Sequence, residues 1–411
     1  MPTPGTPGSR IQRIRGSVRG ASATHVWGVR SGRRLAAPLL CLVAVVAAGA
    51  LAQEAAPPGG GSLFRDPQDG AFDVSAWAAT RTGVLPVVAP ITEPAVGYGG
   101  ALALVLIHGG MAEFANAPKG VTGRPVPPDI SAVVGALTEN STWAAGAAHV
   151  GFWDGDRWRY SGFAGRISPR LDAYDSRGNA YAFNLDGWVL MQELRRRVGR
   201  TELFVGARYL LSDATTRFEI SALPPELAVA ARETRDSGLG VVAEYDTRDN
   251  IFTPNRGVQL KATAMLFDPA LGSDNRYQRY SADTFFYRDV HPRLVLSGRL
   301  RAQSVRGDEP FYALPFVRLR GIPAMRYQGE TAVSLDAEAR WALTPRWWLV
   351  GFAGSGWTDA GPVRYLKDEA VGAAGVGFRY LIARLLGLQT GLDFAKGPER
   401  WAMYVVFGSS W

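Results

Sequence analysis

From about residue 96 to the C-terminus, apolar and polar positions alternate at period two in short runs separated by turn residues. The last run is the clearest. Trp401, Met403, Val405, Phe407, Ser409 and Trp411 form one row, and Ala402, Tyr404, Val406 and Gly408 form the other. Such alternation specifies an extended strand with two unlike faces. On this basis strands are predicted over 96–108, 130–138, 143–153, 158–167, 181–195, 202–212, 238–246, 258–267, 279–288, 294–304, 331–343, 347–357, 371–382, 386–394 and 401–411. That makes fifteen, whereas closed single-chain membrane barrels have an even number. If long loops share one end and short turns the other, 158–167 and 181–195 would run in the same direction. A short reversed strand, Arg170–Asp175, is therefore expected between them, giving sixteen.

The two faces differ in kind. Over 331–343, Ser334, Asp336, Glu338 and Arg340 oppose Val333, Leu335, Ala337, Ala339 and Trp341. Over 294–304, Ser297, Arg299, Arg301 and Gln303 oppose Leu296, Gly298, Leu300 and Ala302, and over 386–394 Gln389 and Asp393 oppose Leu388, Thr390, Leu392 and Phe394. A soluble sandwich or lipocalin-type barrel would turn its apolar row inward onto a dry core. Ionisable residues on every second position instead call for a wet interior and an apolar exterior. The expected fold class is all-β, a 16-stranded antiparallel transmembrane β-barrel. A terminal aromatic strand with nothing after it fits, because closure removes an edge that would otherwise aggregate. In that arrangement Trp401–Trp411 pairs with the glycine-rich first strand carrying Gly97, Gly99 and Gly100.

Charge alters the picture only at the N-terminus. The 411 residues carry a formal charge of +8, which invites a nucleic-acid reading. Seven arginines lie in residues 1–52 with no Lys, Asp or Glu, and the remainder has 38 basic against 37 acidic side chains. A general phosphate-binding surface, and with it a nucleic-acid partner, loses its support. Arg33-Arg34, the apolar run Leu35–Leu51 and the small pair Ala50 and Ala52 read as a signal peptide ending at residue 52. Lipoprotein attachment at Cys41 fits less well, since Leu40 stands where a small residue is wanted. Cys41 is the one cysteine, so the exported chain would hold no disulfide or thiolate site. Residues 53–90 read as a periplasmic linker and N-terminal segment, and 91–411 as the barrel in an outer membrane.

Two loops stand out. Asp246–Gly257 (D-T-R-D-N-I-F-T-P-N-R-G) is a turn in which Asp246, Arg248, Asp249 and Arg256 can form a local ion-pair network, with Asn250, Pro254 and Gly257 shaping the backbone. The interleaved arginines argue against a metal there. Leu319-Arg320-Gly321-Ile322 lies in a long loop before the 331–343 strand, suited to folding inward onto lumenal carboxylates. For catalysis the sequence offers His108, His149 and His291, without a G-x-S-x-G elbow or zinc-like spacing. The glycines of 372–377 precede no helix. No enzymatic activity, cofactor or metal is expected.

In order and spacing these loops resemble the BamA/TamA outer-membrane superfamily, also called bacterial surface antigens. The D-x-R-D-N…P-x-R-G turn matches at Asp246, Arg248, Asp249, Asn250, Pro254, Arg256 and Gly257. The (V/I)-R-G-(F/Y) loop tip matches at Arg320 and Gly321, with Leu319 and Ile322 as departures. The resemblance covers 91–411 and implies a sixteen-stranded barrel with five strands after the loop. It implies a role in outer-membrane protein or lipid assembly or translocation, with a polypeptide client, outer-membrane lipid and, during biogenesis, the assembly machinery as partners. The alternative is a passive or loop-plugged pore. Only 38 residues precede position 91 after the expected cleavage, which points to a POTRA-less branch. Many relatives place an aspartate for the loop arginine in F-x-D-x-G, where this chain has Phe352-Ala353-Gly354-Ser355-Gly356. Asp336 or Glu338 is the expected substitute.

Overall fold

The computed structural model describes residues 63–79, 84–109, 118–123, 125–219, 233–363 and 365–409. The expected signal peptide and Trp411 lie outside the described residues. Among the described residues one short α-helix, α1 (Ser75–Ala79), precedes an antiparallel sheet. Its strands are β1 (Val84–Ile91), β2 (Gly99–Ile107), β3 (Ile130–Thr138), β4 (Trp143–Trp153), β5 (Trp158–Ser168) and β6 (Arg170–Tyr174). Next come β7 (Ala180–Arg197), β8 (Leu203–Phe218), β9 (Glu233–Asp246), β10 (Gly257–Phe267), β11 (Tyr277–His291) and β12 (Leu294–Gly307). The last five are β13 (Thr331–Ala342), β14 (Trp347–Asp359), β15 (Glu369–Ala383), β16 (Leu388–Lys396) and β17 (Trp401–Phe407).

Seventeen segments make sixteen staves, because β5 and β6 both pair with β7 in one continuous antiparallel direction. Pro169 separates them, and a proline has no N–H for the ladder. The reversed strand expected at Arg170–Asp175 is therefore the upper part of β5. Parity is restored by β1, which pairs with β2 from Val84↔Leu106 to Ile91↔Gly99. The sheet thus begins at Val84 and not at 91. The expectation failed on direction. The described residues of the long connection between β2 and β3 lie with the short turns: Val121 N–H donates to Gly155 O in the β4–β5 turn at 3.1 Å. The end holding the β4–β5, β9–β10, β13–β14 and β15–β16 turns is called proximal here, and that holding the 308–330 loop distal.

Alternation turns Ser334, Asp336, Glu338 and Arg340 into the lumen, where all four are buried, while Leu335 and Trp341 are exposed outside. The outward aromatics fall into two belts. On β14, Trp347 and Trp357 are both exposed. The ten residues between their levels, at ~3.4 Å each and a tilt near 40°, span roughly 25 Å of height. That matches the apolar band of a membrane barrel.

The terminal strand is shorter than its alternation suggests and has a different neighbour. It ends at Phe407, where Gly408 takes φ 75° and turns the chain inward. Ser409 N–H then donates to Phe252 O at 2.6 Å. β1, and not the glycine-rich β2, stands beside β17. Every other neighbouring pair of staves is a ladder. At this seam the described residues give one hydrogen bond, Val405 N–H to Thr92 Oγ1 at 3.2 Å.

Candidate functional site: a lumen entered by loops from both ends

The distal loop 308–330 folds into the barrel mouth. Its first part packs Phe311 against Phe183 of β7 and Phe218 of β8, with ring centroids 4.9 and 5.5 Å apart. The Tyr312 hydroxyl donates to Asp236 of β9 at 2.8 Å. Further on, Val317, Leu319, Ile322 and Tyr327 form a small core with Val371 of β15. At the loop tip Arg320 Nη1 donates to Glu338 of β13 and to Asp393 of β16, both at 2.7 Å. Its guanidinium lies 3.5 Å from the centroid of Phe352 on β14. Gly321 N–H donates to the Tyr404 hydroxyl of β17 at 2.8 Å. The Gly321 backbone approaches Gly397 so closely that a Cβ would sit 2.8 Å from Gly397 N.

Of the two expected carboxylate partners, Glu338 touches Arg320, and Asp336 has no ion pair within 4 Å among the described residues. The second partner is Asp393, which sequence reasoning placed on the wet face without assigning it to the loop. Arg379 of β15 holds Asp393 with two further hydrogen bonds of 2.6 and 2.9 Å. Gly354 is not a vacancy for a missing aspartate. A Cβ there would lie 2.7 Å from Leu319 Cδ2 and 2.8 Å from Asp336 Oδ1, so the loop tip occupies its space.

The Asp246–Gly257 turn enters from the proximal end. Asp246 accepts both Arg248 Nε and Nη2 at 3.0 Å, a local pair. Asp249 instead accepts the backbone N–H groups of Asn255 and Arg256, and Arg256 reaches Asp289 of β11. Asn250 donates to Leu386 O at 2.9 Å, and its Oδ1 accepts from Phe252 and Thr253 N–H. Thr253 Oγ1 accepts from Gln389 N–H of β16, and Arg340 of β13 donates to Pro254 O and Asn255 Oδ1. Gly257 has φ 106° and lies against the Thr247 carbonyl, a position closed to side chains. The network is therefore cross-barrel as well as local. Both inserted loops rest on the same two strands: β13 holds one through Glu338 and the other through Arg340, and β16 through Asp393 and Gln389.

A third element was missed. Asp66, Asp69 and Asp73, just before α1, all reach Arg346 of the β13–β14 turn, at 2.6, 2.7 and 2.6 Å. Arg384 of the β15–β16 turn adds bonds to Asp66 at 2.8 Å and Asp69 at 2.5 Å. The Arg346 hydrogen bond draws the Asp69 carboxyl down to about 2, against the opposing effect of burial. For Asp73 burial alone pushes upward, but hydrogen bonds from Ser75 and Arg346 outweigh it and the carboxyl ends below its usual range. The available signal was three aspartates within eight residues, facing two arginines in short turns predicted at the same end. His108 and His149, considered above only as catalytic candidates, stand on the outward face beside Ser131.

Comparison with known proteins adds the following. The model of the Omp85 superfamily domain matches residues 154–318. BamA from Haemophilus ducreyi lacking POTRA domains 1–3 is similar in structure, with TM-score 0.53 and 12% identity over 80% of this chain and 70% of that one. CdiB from Escherichia coli is similar with TM-score 0.56 and 12% identity, over 80% of this chain and 62% of that one. A search of curated proteins gave no significant match. At such identities the structural likeness shows the fold. Residues 154–318 thus match the Omp85 superfamily domain, and the chain folds as a barrel similar to that of BamA.

Proposed function

We propose that this protein is an outer-membrane barrel that engages a polypeptide at its β1–β17 seam while the Arg320 latch keeps the lumen shut. The observation that carries this reading is the seam, the one junction between staves without a backbone ladder among the described residues. Pro86 and Pro90 explain part of it. Prolines are tolerated in a strand with the nitrogen turned away from the ladder, so in β1 their missing donors fall on the side facing β17. An unladdered pair of edges can open and accept an extended segment by strand addition. The aromatic belts, the polar lumen and the resemblance support placement in the outer membrane.

The test uses a disulfide between Thr92→Cys and Val405→Cys. The expected result is that reporters on Met403 crosslink to newly exported barrel proteins only in the reduced, unlocked protein. Absence of crosslinks in both states would sink this reading. A second reading, the loop-plugged pore, is favoured by the lumen being occupied from both ends. It predicts planar-bilayer conductance that rises when the loop is unlatched and is indifferent to the seam disulfide.

A further inference from the structure

The lipid-facing surface of a barrel is ordinarily apolar, because polar side chains there are costly. On β3 to β8 one register row departs from this: Ser131↔His149↔Gly162↔Gln192↔Tyr209. Alternation places the row outside, in step with exposed Leu104, Val133 and Leu194. His108, one residue past β2, bonds Ser131 Oγ through Nε2 at 2.9 Å, and Ser131 Oγ bonds His149 Nδ1 at 2.8 Å. The His149 and Tyr160 rings are 5.8 Å apart. Tyr160 leans over Gly162, where any Cβ would strike the phenol, and its hydroxyl donates to Gln192. Five side chains thus form a connected polar track on the outside of four neighbouring staves and the end of a fifth.

Depth says what the track meets. His149 is four residues from Trp153, a member of the proximal aromatic belt, or ~14 Å along the strand and roughly 10 Å in height. His108 lies nearer the belt. The track therefore runs from the headgroup level to the top of the acyl layer, the depth of glycerol esters. Ser131 has a single hydroxyl proton, so with neutral imidazoles one histidine donates to it and the other accepts. The second ring nitrogens, His108 Nδ1 and His149 Nε2, have no protein partner among the described residues. With neutral rings they offer one donor and one acceptor.

We infer that this track binds one glycerophospholipid of the proximal leaflet, with the phosphate accepting from His108 Nδ1–H, the tautomer held by Ser131 and His149, and acyl chains along Leu104 and Val133. Native mass spectrometry of the full chain with dioleoylphosphatidylglycerol tests it. The wild type should retain one lipid. Ser131→Ala with His149→Leu should lower retention about tenfold, the equivalent of ~1.4 kcal/mol, while heat-modifiable mobility stays unchanged. Gln192→Leu, further along the row, should cost less. Equal retention in the double variant, displacement by millimolar inorganic phosphate, or dimerisation through this face would each overturn the proposal.

Discussion

Arg320→Ala removes the cation on which the distal loop is anchored. Two buried carboxylates lose a partner at once: Glu338, with 6% of its surface exposed, and Asp393, with none. Removing one member of a buried ion pair costs about 3–5 kcal/mol, since the remaining charge is left uncompensated. Here Arg379 still holds Asp393 through two hydrogen bonds and stands 4.0 Å from Glu338, so the penalty drops to ~2 kcal/mol. Loss of the stack on Phe352 adds ~1 kcal/mol. A net cost of roughly 3 kcal/mol follows, which for a chain of this size lowers Tm by about 4 °C. Heat-modifiable electrophoresis gives the shift, and planar-bilayer recording gives the opening of the lumen. Arg320→Lys should recover less than half of the loss. It keeps the charge but loses the planar fork and the flat stack. The latch argument fails if Arg320→Ala leaves both the transition and the conductance at wild-type values.

Three other outcomes follow from the same geometry. Gly354→Asp, which writes the relatives' aspartate into this chain, should destabilise the barrel by about 1–3 kcal/mol through overpacking against Leu319, and it should not rescue Asp393→Asn in thermal unfolding. Gly257→Ala places a Cβ where φ is 106° and should cost ~1–3 kcal/mol, seen as faster proteolysis of the 247–257 turn. Arg346→Ala should release residues 63–79 at neutral pH. In the wild type the depressed Asp69 and Asp73 carboxyls contribute docking stability that is full above their unfolded values and lost as pH falls through the folded ones. Docking should therefore persist at pH 5 and fail towards pH 2, followed by amide exchange in the 63–79 segment.

Turn chemistry, loop length and then the resemblance marked the two loop motifs, but none of these could say whom they touch. Arg320 was legible as an inward-facing cation because arginine beside glycine in a long loop has few other uses. Its partner Asp393 is 73 residues away, and no local pattern links them. Asp249 and Arg256 look alike as ion-pair members in sequence, yet one caps backbone amides and the other crosses to Asp289. Only the folded turn distinguishes those roles.

Period-two alternation by itself determined the fold class, the inward and outward faces, and most strand limits, because side-chain direction in a strand is a local property of the backbone. Which end each loop occupies, which segment supplies the sixteenth stave, and who neighbours the terminal strand were decided by tertiary structure. Direction along a barrel depends on pairing between distant strands and on closure, and a proline can interrupt a stave without reversing it. β1, with two prolines in eight residues, reads poorly as a strand in isolation. It becomes one because β2 offers it a ladder.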